Sequence, residues 1–199
     1  MSCNEAIEWA IHAEDVAGAR TKSKTPREPK SIKPMKKYRT NGAIGALLDE
    51  YERAVGELQA LIQTVTPAQL VAIADPHTNN PDCRSIQTVL SHVVRAGYAY
   101  ANYIRSHQGE QPVPKAGEIL DFVATSSAGE ALTAMFQYTE KVFIDYPELP
   151  LEVFPEDQKI LVRWGQRYDV EQLMEHAIVH ILRHRRQIER FLANFVLKN

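Results

Sequence analysis

Val170 to Asn194 reads VEQLMEHAIVHILRHRRQIERFLAN. Leu173, Ala177, Ile181, Ile188, Phe191 and, just beyond, Phe195 recur at the three-and-four spacing that gives a helix one apolar face. His176, His180 and His184 follow one another at i, i+4 intervals in the same arc as Leu173, Ala177 and Phe191. An imidazole on an inward face loses its hydration, so it needs a hydrogen-bond partner or a metal. One such histidine is ordinarily satisfied within a core. Three on one face favour a metal site.

Working outward, three more amphipathic segments precede this one. Residues 43–65 carry Ile44, Leu47, Leu48, Tyr51, Val55, Leu58, Leu61 and Ile62 on one face. Thr66-Pro67 then starts a short helix, with Thr66 as its cap. DPHTNNPD at 75–82 is a loop. Residues 84–107 form a second long helix. Its inner arc holds Ile86, Val89, Leu90, Val93, Ala96, Gly97, Tyr100 and Ile104, and Arg84, Ser91, Arg95, Asn102 and Arg105 are expected opposite. His92 lies on the flank of that arc, and Gly109 with Pro112 and Pro114 ends the element. A helical turn is expected at 116–123, then a third helix over 127–145, capped by Ser126 or Ser127 with Glu130 closing a capping box. Before the organising helix, KILVRW and the turn-like Trp164-Gly165 point to a short strand or hairpin. The fold class is therefore all-α: four long helices whose connections are too long for a simple up-down order.

The sequence of 199 residues, 44% hydrophobic and 24% charged, fits one well-buried domain with an extension. Net charge is −2, which argues against nucleic acid or an acidic membrane as partner of the whole molecule. The charge is uneven. Residues 20–40 hold nine Lys/Arg against Glu28 alone, while 41–199 hold 14 Lys/Arg against 20 Asp/Glu. We therefore divide the chain into 1–40, a short helix over 4–19 followed by a basic, proline-broken linker, and 41–199, the helical domain. The basic run reads as a solvated tether in preference to a nucleic-acid arm. Two cysteines, Cys3 and Cys83, are too few for a disulfide scaffold or a thiolate zinc site, so a reducing, cytoplasmic setting fits. Glu5 and Glu8 interrupt the early apolar segment, so no secretory signal is expected, and no run approaches the ~18 apolar residues of a membrane span.

Two histidines at i, i+4 project side by side, roughly 6 Å apart, as two ligands of one metal. The third must come from another helix, and His92 is the histidine well inside one. Imidazoles suit zinc, nickel, copper or ferrous iron, and three of them leave coordination positions open for water or substrate. Other chemistries are excluded by spacing. The residues after His176, His180 and His184 are Ala177, Ile181 and Arg185, so there is no HExxH, and none of the ExxH pairs of di-iron bundles is present.

With these residues in view, the chain resembles the DinB/YfiT family of four-helix-bundle metalloproteins over about residues 43–195. The resemblance is carried by His92 in LSHVVRAGYAY and by HILRHRRQIERFL, which is similar to the family's HxxxH followed by Arg-x-Gln. It implies metal ligands at His92, His180 and His184, with His176, one turn earlier, as a pocket residue. Arg186 stands where the family commonly has glycine, and the basic extension is not part of the pattern. The resemblance further implies one divalent metal, often a homodimer, and activation of a low-molecular-weight thiol such as bacillithiol or mycothiol, or of water, for attack on a small electrophile. Tyr100, Tyr103, His176 and Gln187, with Arg95 if the pocket reaches it, are the residues placed to bind substrate or move protons. The competing reading is a non-catalytic bundle in stress response, in which a metal staples two helices or the pocket senses a ligand. On the last helix Ile178, Val179 and Leu182 point away from the histidines, an apolar strip that predicts a homodimer.

Overall fold

The computed structural model describes residues 38–114 and 120–197. The expected helix at 4–19 and almost all of the basic linker lie outside them, as does the first half of the expected turn at 116–123. Its described part, 120–123, is not helical.

Among the described residues five α-helices make up nearly all the regular structure: α1 (Gly42–Ile62), α2 (Pro67–Val71), α3 (Ile86–His107), α4 (Thr125–Asp145) and α5 (Val170–Leu197). A two-stranded antiparallel hairpin, β1 (Ile160–Leu161) and β2 (Arg167–Tyr168), precedes α5, with Ile160 opposite Tyr168. Gly165 turns it at φ 87°, a conformation that suits glycine. The capping chemistry places the helix starts. Thr66 and Gln69 form a capping box at α2, Ser85 and Thr88 at α3, and Asp169 accepts the Gln172 amide at 2.8 Å to open α5. At α4 the expected cap is corrected. The helix begins at Thr125 without a side-chain cap, and Ser127 instead donates to the Ala124 carbonyl at 2.7 Å.

Each long helix packs on two others: α1 on α4 and α5, and α3 on α4 and α5. The shared core is built from the predicted apolar faces, including Tyr51, Leu58, Ile86, Leu90, Leu132, Met135, Leu173 and Ile181. Gly97 permits the α3–α4 approach, because a Cβ there would lie 2.2 Å from Met135 Sδ. The Tyr51 hydroxyl donates to that same sulfur at 3.4 Å. Arg39, assigned from sequence to the linker, is tied into the domain. It bonds Asp49 (2.7 Å) and Glu52 (2.9 Å) of α1 and Glu140 (2.6 Å) of α4.

The polar side of α3 is also corrected. Arg84 is exposed, but Ser91, Asn102 and Arg105 are buried. Asn102 exchanges two hydrogen bonds with the Val113 backbone and accepts the Tyr138 hydroxyl at 2.9 Å. Arg105 donates to Glu110 and Asp145, both at 2.9 Å, and its guanidinium stacks over Tyr138. Ser91 accepts the Leu120 amide at 3.0 Å. These residues form a matched seam holding α4 and the 108–114 connection, which is why polar side chains face inward there. The strip expected to drive dimerisation is narrower than predicted. Ile178 and Leu182 pack against the core, and Val179 alone of the three is well exposed. Among the described residues no helix is long and apolar enough to cross a membrane.

Candidate metal centre

The i, i+4 spacing on α5 puts His180 and His184 on consecutive turns, and α3 lies against that face carrying His92. His180 Nε2 sits 3.0 Å from His92 Nε2 and 3.2 Å from His184 Nε2. These three residues can hold a metal ion. Their ligand atoms all lie within 4.8 Å of one another. His184 and His180 are buried and His92 half-buried.

The outer nitrogens are occupied. His92 Nδ1 lies 3.2 Å from Asp82 Oδ2, and His184 Nδ1 lies 2.8 Å from Gln187 Oε1. Both partners are acceptors, so each ring carries its proton on Nδ1 and leaves a lone pair on Nε2. Two lone pairs therefore point at His180 Nε2, where a single proton can serve only one of the two contacts. A cation among the three nitrogens removes the repulsion. The spacing suits one, since tetrahedral zinc with bonds of about 2.0–2.1 Å separates its nitrogen ligands by roughly 3.3 Å.

The electrostatics favour neutral rings. Burial lowers the His180 pKa well below the ordinary value, and neighbouring His184 and His92 lower it further. Burial and His92 take His184 down to about 4, against the Gln187 hydrogen bond. Burial lowers His92 too, opposed by the charge of Asp82. All three are thus unprotonated near neutral pH, the form that ligates.

The remaining sequence candidates fall in different places. His176 is at the rim, half-buried, its ring stacked on Trp164 with centroids 5.6 Å apart and 6.4 Å from His180. Tyr100 is buried and meets His180 and His176 edge-on at 5.7 and 5.5 Å. Burial raises its pKa far above the usual phenol range, so it keeps its proton. Tyr103 is turned to the hairpin, where its hydroxyl accepts the Arg163 amide at 3.1 Å. Gln187 serves His184, and Arg95 donates to Asp82 at 2.7 Å. Beside His176 an open cleft of about 570 Å³ is lined by Gln166, Tyr168, Gln172, Glu175 and Val179.

Two participants are missing from the sequence reading. In sequence Asp82 is only the end of a loop, and Trp164 only a turn residue. Asn80-Pro81-Asp82 does carry a signal, since Asn80 accepts the Asp82 amide at 3.0 Å and starts a 3₁₀ turn. No protein-family model matches the chain, and no curated protein matches it.

Proposed function

We propose that this chain is a divalent-metal protein of the DinB/YfiT type, a four-helix bundle that activates a low-molecular-weight thiol or water for attack on a small electrophile in the cytoplasm. The observation that carries the reading is the convergence of three imidazole Nε2 atoms, two of them with Nδ1 already donated outward. His92, His180 and His184 would hold the ion. Their all-nitrogen set suits zinc, nickel, copper or ferrous iron. A divalent ion held by three neutral imidazoles keeps its full charge and lowers the pKa of a thiol or water beside it.

The chain's own residues supply the rest. Tyr100, protonated and packed edge-on against His180, has a hydroxyl able to donate to a bound group but not to act as a base. His176, neutral and placed between the cleft and His180, is a group able to take up a proton on the cleft side. Trp164 and Tyr168 pack their rings against His176 and set its orientation on the hairpin side. Among the described residues no fourth His, Cys, Asp or Glu joins the three, which favours an open site over a closed structural one. Thiol transfer is preferred to hydrolysis because a bound thiolate would need no separate base, and among the described residues the carboxylate beside the trio, Asp82, is engaged by His92 and Arg95.

A second reading follows from the same trio joining α3 to α5: the ion staples two helices without catalysis. The experiment that separates them assays metal-loaded protein with bacillithiol, glutathione and cysteine against a chlorinated or epoxide acceptor, beside ester and amide panels. Thiol-dependent turnover is expected. Turnover confined to the hydrolytic panel overturns the thiol preference, and none in any panel favours the staple. The homodimer is proposed on narrower ground, the exposed Val179 on α5, and a monomer by light scattering removes it.

A further inference from the structure

We propose that Asp82 is the positioning residue of this centre: by accepting the Nδ1 proton of His92 while Arg95 holds its other oxygen, it fixes the ring in the tautomer whose Nε2 faces His180 and His184. The proposal rests on the metal reading for its consequence but not for its geometry. Asp82 Oδ2 lies 3.2 Å from His92 Nδ1, and Arg95 Nη2 lies 2.7 Å from Oδ1, so both carboxylate oxygens are engaged and their direction is set. The loop that presents Asp82 is held by its own side chains. Asp75 accepts the His77 and Thr78 amides, Thr78 accepts that of Asn80, and Asn80 accepts that of Asp82. The Arg84 carbonyl closes it by accepting the Ala74 and Asp75 amides.

The other two rings differ from His92 in how they are held. His180 and His184 are constrained by one helix, which sets their spacing, and both are buried. His92 comes alone from α3 and is only half-buried, so water competes for its ring nitrogens. An imidazole in water favours the proton on Nε2, which would put a donor where a lone pair is required. The Asp82 carboxylate reverses that preference and raises the basicity of Nε2, the effect expected of a carboxylate hydrogen-bonded to a metal-bound histidine.

The test uses full-length protein with ¹⁵N-labelled histidine. In metal-free wild type, ring NMR is expected to show His92 with its proton on Nδ1. In Asp82→Ala it should move toward Nε2–H, and zinc affinity, measured by competition with a chromophoric chelator, should fall by roughly 10–100-fold. Asp82→Asn keeps an acceptor oxygen, so His92 should keep its tautomer and the affinity loss should be the smaller of the two, about threefold to tenfold. An unchanged His92 tautomer in Asp82→Ala, with zinc affinity within about twofold of wild type, overturns the proposal. If Asp82→Ala does not fold, Asp82→Asn decides it: equal zinc affinity there overturns it. Failure of wild type to bind zinc would sink the metal reading instead, while the NMR result would still decide the role of Asp82.

Discussion

Helix α3 carries two polar clusters, and they are built on opposite principles. Around Arg105 every charge meets its counterpart: Glu110 and Asp145 take the two ends of the guanidinium, Tyr138 lies beneath it, and the Tyr146 hydroxyl donates to Glu110. Around His92, about 20 Å along the same helix, the outer nitrogens are matched and the inner ones face each other without enough protons to go round. A cluster whose charges are all paired has a sufficient explanation in stability, although the Arg105 Nε itself is buried without a partner. One that is left short of a cation points beyond the protein. Among buried polar groups, function is to be sought where several acceptors converge with too few protons between them, not where opposite charges are already paired.

Removing a ring puts the contrast at greatest risk. His184→Ala is expected to weaken metal binding by well over the roughly 10–100-fold typical of losing only a supporting hydrogen bond. Elemental analysis after dialysis checks it, and full occupancy in a His92→Ala/His184→Ala double variant would sink the assignment. The converse change, Arg105→Ala, should cost about 2–3 kcal/mol of stability, because it strands two partly exposed carboxylates beside Tyr138. Chemical denaturation reads that loss, and zinc affinity should stay within about twofold of wild type. A change in affinity comparable to that of His184→Ala would join the two clusters into one.

Acid should act on the histidine cluster in particular. The folded rings have lowered pKa values, His184 to about 4, while unfolded histidine titrates near 6.5. Between those values the unfolded chain binds more protons, so stability falls as pH drops through the window and levels off below the folded value. Thermal melting of metal-free protein should decline by several degrees from about pH 6.5 toward pH 4. A flat profile would mean that the rings are not buried as neutral groups. The smallest effect belongs to Arg39. Arg39→Ala should cost about 1 kcal/mol, since its ion pairs with Asp49 and Glu140 are only partly shielded. A chain starting at Tyr38 should keep its helical circular dichroism and its zinc. Loss of cooperative melting in that shortened chain would show that residues 1–37 contribute to folding.

Much of the architecture is legible because helical periodicity is a local property. The start of α5 at Val170, the hairpin before it, the short helix capped by Thr66, and the juxtaposition of His180 and His184 all follow from spacing and turn chemistry within a few residues, whereas His92 joins them through elimination among the helical histidines and the family resemblance. The failures share a cause. Ser91, Asn102 and Arg105 project outside because a helical projection registers apolarity and cannot register a polar partner supplied by another segment. Asp82 is hidden for the same reason, since its partners His92 and Arg95 are reached only when the loop folds back along α3. The misplaced cap at α4 differs. Ser127 has the right side chain, but it bonds the carbonyl behind it, and nothing local chooses between that bond and a cap.

Met135 matters outside metal chemistry. Its side chain is fully buried, its sulfur takes the Tyr51 hydroxyl, and it occupies the space that a side chain at position 97 would need. An oxidant can reach it only when α3 and α4 part, and the sulfoxide oxygen has no room when they return. Oxidation of Met135 would therefore hold the core open for as long as the sulfoxide persists. The rate at which peroxide produces its sulfoxide is a clock for how often the core opens.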